Sequence, residues 1–190
     1  MKKLLVAASI LLLAACSSSP KEPQVNFIPQ TTTSQNKTVD NLMFSLDSKD
    51  VRSAQYVALI DSGRNNIQPV HAKQNIRITL ESALQDQLQS QGFRTSVNSE
   101  NSVTLEIQQL LVNVQHSIMS NEMDAKITLQ ITAETPAGKL EKIFNGSASK
   151  TGTFSASDSQ IEQIVNDVTS LVLAEIANDT ELNNYMKERF

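Results

Sequence analysis

The stretch MDAKITLQITAE, residues 123–134, decides the fold. Met123, Ala125, Ile127, Leu129, Ile131 and Ala133 alternate with Asp124, Lys126, Thr128, Gln130, Thr132 and Glu134. Side chains of a β-strand point to opposite faces with a period of two, so this spacing predicts a long strand with one buried and one wet face. Such half-wet strands belong to antiparallel sheets, because a strand buried on both faces reads as a continuous apolar run.

The flanks supply its neighbours. Upstream, Val103, Leu105 and Ile107 alternate, then Leu110, Val112 and Val114 alternate in the opposite phase. A phase change of one residue within a strand marks a bulge, here near Gln108 and Gln109. Downstream, Pro136-Ala137-Gly138 is a turn, and Leu140 to about Phe154 returns as a third strand. Nearer the start, Leu42, Phe44 and Leu46 alternate, Tyr56 to Ile60 is a short buried strand, and Ile67 to Val70 is a further short one.

Two helices complete the pattern. Across Lys73–Gln91, Ile76, Leu80, Ala83, Leu84 and Leu88 repeat at helical spacing. Gly92 then stands where a left-handed residue ends a helix, with Phe93 placed to pack back on the last turn. Across Ser157–Asn178 the stripe is Ile161, Ile164, Val165, Val168, Leu171, Val172 and Ile176. Both Ser157 with Gln160 and Ser159 with Glu162 fit the capping-box spacing at its start. A short helix over Thr180–Glu188 follows. The expected fold is α+β: a two-layer, mostly antiparallel sheet with two long amphipathic helices on one face.

The first residues concern address. Lys2 and Lys3 precede an apolar run from Leu4 to Leu13, which is shorter than the ~20 residues a spanning helix needs and reads as a secretory signal. The run stops at Cys16, the single cysteine in the chain. Leu13-Ala14-Ala15-Cys16 resembles the lipobox of bacterial lipoproteins, whose cysteine thiol carries a diacylglycerol. The resemblance implies lipidation at Cys16 after removal of residues 1–15, palmitate among the acyl groups, and attachment of the protein to a membrane through that lipid. Ser17, where enterobacterial lipoproteins retained in the inner membrane carry Asp, implies the outer membrane, with the folded domain in the periplasm. Residues 16–37, with Pro20, Pro23 and Pro29 among Ser, Thr, Gln and Asn, read as a flexible tether. Fully extended at ~3.1 Å per residue it would reach roughly 60 Å. Val25, Phe27 and Ile28 are its large apolar residues and either dock on the domain or stay free. A single domain over residues 38–190 follows.

Composition excludes several classes. Sixteen Lys and Arg stand against 20 Asp and Glu. Without Lys2 and Lys3 the balance is 14 against 20, a formal charge of −6, and no basic stripe suits nucleic acid. The two histidines, His71 and His116, lie in unrelated positions, and no spacing of His, Cys or carboxylates suits a metal. No Gly-x-Ser-x-Gly turn or phosphate-binding glycine loop occurs. Glu106, Asp124 and Glu134 read as a solvated sheet face. No cofactor and no catalytic residue is expected.

The chain resembles the YajG family of small bacterial lipoproteins. The resemblance rests on the lipobox, on LQSQGF (88–93), SVTLEIQQLLVNV (102–114), MDAKITLQITAETPAGK (123–139), and on the tail from Asp158 to Phe190. It implies a lipoprotein of uncharacterised role with no active site to carry over; Cys16 alone transfers, as the lipid attachment site. The reading is therefore a non-enzymatic envelope lipoprotein whose domain binds a protein partner or envelope component. The alternatives are an auxiliary subunit of an envelope transport system, and an enzyme acting on peptidoglycan or lipid. The expected contact is the hairpin tip QHSIMSNE (115–122), where Ile118 and Met119 are apolar within an exposed turn.

Overall fold

The structure, a computed structural model, describes residues 22–63 and 66–190. In chain order the elements are β1 (Gln24–Val25), β2 (Met43–Asp50), β3 (Tyr56–Asp61), β4 (Ile67–Ala72), α1 (Ile76–Ser90), β5 (Arg94–Thr95), β6 (Ser102–His116), β7 (Ser120–Thr135), β8 (Gly138–Thr153), α2 (Asp158–Asn178) and α3 (Thr180–Arg189). The fold is α+β.

The alternation of β7 is realised as read. Met123, Ala125, Ile127, Leu129, Ile131 and Ala133 are all buried, while the residues between them are partly or fully exposed. β7 pairs antiparallel with β6 and with β8 along its whole length. The register of β6 against β7 shifts between Ile107 and Gln109, which is the bulge that the phase change implies.

The sheet is mostly antiparallel, as expected, through the long β6–β7 and β7–β8 ladders and the β3–β4 pair, and around this meander it also takes in parallel pairings. The outer edge of β6 is shared by two strands, both parallel to it: β2 pairs with Ser102–Ile107 and β3 with Val112–Gln115. β4 pairs antiparallel with β3, β1 parallel with β4, and β5 parallel with β2. Parallel neighbours need a long crossover, and α1 lies within one of them, between β2 and β6.

The helices start and stop for local reasons. Asn75 caps α1 by accepting from the Ile78 N–H at 3.1 Å. At its end, Gly92 N–H donates to Gln89 C=O and Phe93 N–H to Leu88 C=O, at 3.0 and 3.2 Å. Those two bonds form a Schellman motif, with Gly92 at φ +106° and Phe93 buried. A Cβ on Gly92 would stand 2.0 Å from the Val39 carbonyl oxygen, so the residue is glycine for space as well as for conformation. Of the two capping boxes compatible with the sequence at α2, Ser157 with Gln160 forms.

α2 packs its apolar stripe on the buried side of β6, β7 and β8. Gly146 of β8 permits the close approach, since a Cβ there would meet Val172 and Ile127 at 2.5 and 2.9 Å. Leu171, counted in the stripe, is instead 66 % exposed, while Thr169 is buried and donates to the Val165 carbonyl. α1 meets α2 through a polar seam. Gln91 donates to the Ala177 carbonyl at 3.1 Å, and the buried Gln87 amide, suitably oriented, bridges Leu173 C=O and Ala177 N–H.

The folded unit begins earlier than residue 38. Val25 and Phe27 are fully buried. Asn26 donates to the Glu162 carboxylate through its backbone and its side chain, the Ile28 N–H donates to Asn166, and the Gln30 N–H donates to Ser170. The segment thus runs along α2, and the expectation of a free tether as far as Lys37 does not hold over these residues. The entropy cost of ordering them is met by two large buried side chains. Ile28, in contrast, stays 65 % exposed.

Candidate contact site at the hairpin tip

The tip joining β6 to β7 presents what the sequence placed there. Ile118 is 98 % and Met119 72 % exposed, so neither belongs to the core. The turn is closed locally: the Ser117 N–H donates to the Ser120 carbonyl at 2.8 Å, and their hydroxyls meet at 2.7 Å.

A third apolar residue joins them. Phe154, just past β8, is 69 % exposed, and its N–H donates to the Met119 carbonyl at 3.0 Å. Its φ is +60°, a left-handed conformation that bulky residues rarely adopt. Neighbours hold it there. Asn121, itself buried, donates from Nδ2 to the Phe154 carbonyl at 2.9 Å. Its amide lies over Gly152, where a Cβ would stand 2.8 Å from that nitrogen. The Ala156 N–H donates to Nε2 of His116 at 3.1 Å, which makes that ring nitrogen an acceptor. The result is an apolar patch of Ile118, Met119 and Phe154 on a braced loop. Phe154 was not singled out from sequence. The signal was present: a large aromatic in the polar run KTGTFSAS, residues 150–157, with no alternating partner.

The titratable groups do not assemble into a catalytic centre among the described residues. His71, in β4, meets Glu22, just before β1, at 3.2 Å, while His116 ends β6. Glu106 accepts from Gln108, Asp124 accepts from Ser149, and Glu134 lies ten residues from Asp124 on β7. No cluster of three or more His, Cys, Asp and Glu able to hold a metal is found among the described residues. Cys16 lies outside them.

A second feature sits where β2 and β3 part on the edge of β6. The Arg52 guanidinium grips Asp50 through Nε and Nη2, at 2.9 and 2.7 Å, and donates from Nη1 to the carbonyls of Tyr56 and Leu110, each at 3.3 Å. Both side chains are nearly buried. Burial alone would raise the Asp50 carboxyl, but hydrogen bonds and charge from Arg52 outweigh it and hold it below the usual carboxylate value. A shallow cleft of about 430 Å³ opens beside this pair, lined by Ser53, Tyr56, Gln108, Gln109, Leu111 and Thr128 among others. Arg52 is spent on backbone carbonyls and Asp50, so the pair serves as a structural rivet.

The geometry defines a small α+β domain that displays a braced apolar tip. The chain belongs to the lipoprotein family described as "Uncharacterized lipoprotein", whose model matches residues 29–187. It is 24 % identical over 191 residues to the uncharacterized lipoprotein YajG of Escherichia coli K12, covering 98 % of this chain and 97 % of that one, and equally to YajG of Escherichia coli O6:H1 strain CFT073. The solved structure of an uncharacterized protein, 9 % identical, has a TM-score of 0.50 and covers 83 % of this chain and 97 % of that one, a likeness of fold. Among the described residues no helix is long and apolar enough to cross a membrane.

Proposed function

We propose that the protein is a lipid-anchored envelope lipoprotein that acts by surface contact, without catalysis, and that its tip is the contact surface for an envelope component. The observation that carries this is the exposed trio Ile118, Met119 and Phe154, held in place by a left-handed Phe154 backbone. Backbone strain of ~1–3 kcal/mol persists only where surroundings over-determine it, and it concentrates at working surfaces. In this reading the helices form one layer and the sheet a second.

Changing Ile118 and Met119 together to Ser tests the tip. The variant is expected to keep its urea midpoint, since exposed substitutions usually cost under ~0.5 kcal/mol. It is also expected to lose the adduct that a photo-crosslinker placed at residue 120 forms in intact cells. An unchanged adduct would remove the tip from the mechanism.

The anchor is Cys16, with the mature chain starting there, and Ser17 directs it to the outer membrane with the domain in the periplasm. Several acyl chains at ~0.8 kcal/mol per buried methylene make such an anchor effectively permanent. Cys16→Ala is expected to abolish incorporation of labelled palmitate and to leave the signal peptide in place. Ser17→Asp is expected to shift a substantial share of the protein from outer- to inner-membrane fractions in an enterobacterial host. Label retained in the first variant, or wild-type protein already in the inner membrane, contradicts the respective assignment.

A further inference from the structure

We infer that the envelope component met by the tip is the surface of the bilayer that holds the protein's own anchor, with Ile118, Met119 and Phe154 dipping into the headgroup boundary. The inference rests on the Cys16 anchor proposed above. Chain direction carries it. β3 runs parallel to β6, so Asp61, opposite Gln115, lies at the tip end of the sheet. β4 returns from that end, with Ile67 opposite Asp61, and β1 runs parallel to β4 with Gln24 opposite His71. Followed backward, β1 therefore heads toward the tip. α2 says the same independently. Its first turn follows the Phe154–Ala156 loop, and the segment Asn26, Ile28, Gln30 meets Glu162, Asn166 and Ser170 in that order. Tracing that segment back leads to the tip end of α2.

The length of chain that remains is short. Five residues lie between Cys16 and Glu22, and the six Cα–Cα steps reach at most roughly 22 Å. Glu22 stands near the level of His71, about halfway along β6. His71 is opposite Tyr56, level with Leu110 of β6, so the tip end at His116 is six residues away, ~20 Å along the strand, whereas the far end at Ser102 is eight, ~27 Å. A lipid on Cys16 reaches the plane of the tip and falls short of the far end. The exposed trio then faces the membrane at the one end of the sheet where the anchor can bring them together.

The charges at this end fix the kind of lipid contact. Among the described residues at this end, Asp61, Glu122 and Asp158 outnumber Lys150. Anionic headgroups supply no attraction, so the contact is apolar burial and is expected on zwitterionic phosphatidylcholine and to be insensitive to salt.

The test uses the full-length lipidated protein. With Cys16 acylated, Ile118→Cys or Phe154→Cys provides the single free thiol for an environment-sensitive bimane label. Val97→Cys, 93 % exposed in the loop before β6 at the far end, is the reference. In phosphatidylcholine vesicles carrying shallow spin-labelled lipid, the labels at 118 and 154 are expected to shift to the blue and to be quenched at least about twofold, and the label at 97 is expected to do neither. Protein that floats with the vesicles while its 118 label stays in water overturns the inference and leaves the anchor standing. Protein that takes label on Cys16 itself and does not float overturns the anchor and the inference with it. In intact cells, a benzophenone at Met119 is expected to give lipid adducts; adducts to one protein species overturn the assignment to the bilayer.

Discussion

An Arg52→Ala variant is expected to unfold about 3–5 kcal/mol more easily than the parent at pH 7, the loss seen when one partner of a buried ion pair is removed. Three consequences combine. Asp50 keeps its burial and loses its counter-charge. The carbonyls of Tyr56 and Leu110 lose a donor where the ladder between β3 and β6 has already ended. The fork between β2 and β3, both hung on one edge of β6, loses the side chain that spans it. The sign of the pH dependence distinguishes this from a loss of packing alone. A carboxylate whose pKa is lowered on folding stabilises the fold above its unfolded value, about 3.9, and that contribution is lost as pH falls through the folded value. Asp50 is held low by Arg52. In the variant the guanidinium's hydrogen bonds and charge are gone, and burial, the largest cause, raises it against the backbone N–H of residue 52 alone. The gap between parent and variant in urea melts is therefore expected to narrow from pH 7 toward pH 3. A gap constant with pH would assign the loss to packing. The double change Asp50→Ala with Arg52→Ala is expected to cost less than the two single changes added together, because it leaves no charge stranded.

This rivet was not legible in the sequence, and the reason is physical. Periodicity reports which face of an element is buried, and it reported that well: the β7 alternation, the β6 bulge at Gln108–Gln109 and the Gly92 helix stop all appear where spacing placed them. Periodicity carries no information about which strand lies beside which. That β2 and β3 share one edge of β6, both parallel to it, is set by crossover geometry, and Arg52 matters only because of that sharing. The same limit hid β1. Two paired residues in a proline-rich segment have no period, and Val25 and Phe27 are recognisable as core only once α2 and β4 are in place around them. Gln87 and Gln91 are polar residues outside the apolar repeat of α1, and that repeat gives no sign of their burial. They are buried because the last turn of α2 offers carbonyls that need donors. At the tip, Ile118 and Met119 were legible as apolar residues in a turn. Phe154 was not, since its partnership with Met119 crosses from one end of the hairpin to the end of the following strand.

The second large effect is expected in the strand on which the fold reading began. Leu129 of β7 is fully buried, opposite Ile107 of β6 and Phe144 of β8. Leu129→Ala removes three carbons from a site walled on both sides by paired strands and beneath by α2, so the neighbours can close the void only partly. A loss of about 2–5 kcal/mol is expected, from transfer of the deleted atoms and from the residual cavity. Thr128, one residue away, points to the other face, where its hydroxyl donates to Asn145 Oδ1 at 2.9 Å in an exposed position. Thr128→Ala is expected to cost well under about 1 kcal/mol, as exposed substitutions do. The comparison is sharp because a strand that slips by one residue exchanges its two faces. Urea melts of the chain from Ser17 onward give both values in one background. That start matters, because beginning at Thr38 would remove Val25 and Phe27 from the core and lower the stability of every variant. Equal losses at 128 and 129, or a larger loss at 128, would mean that β7 buries the opposite face and would displace α2, the tip and the register of β8 together.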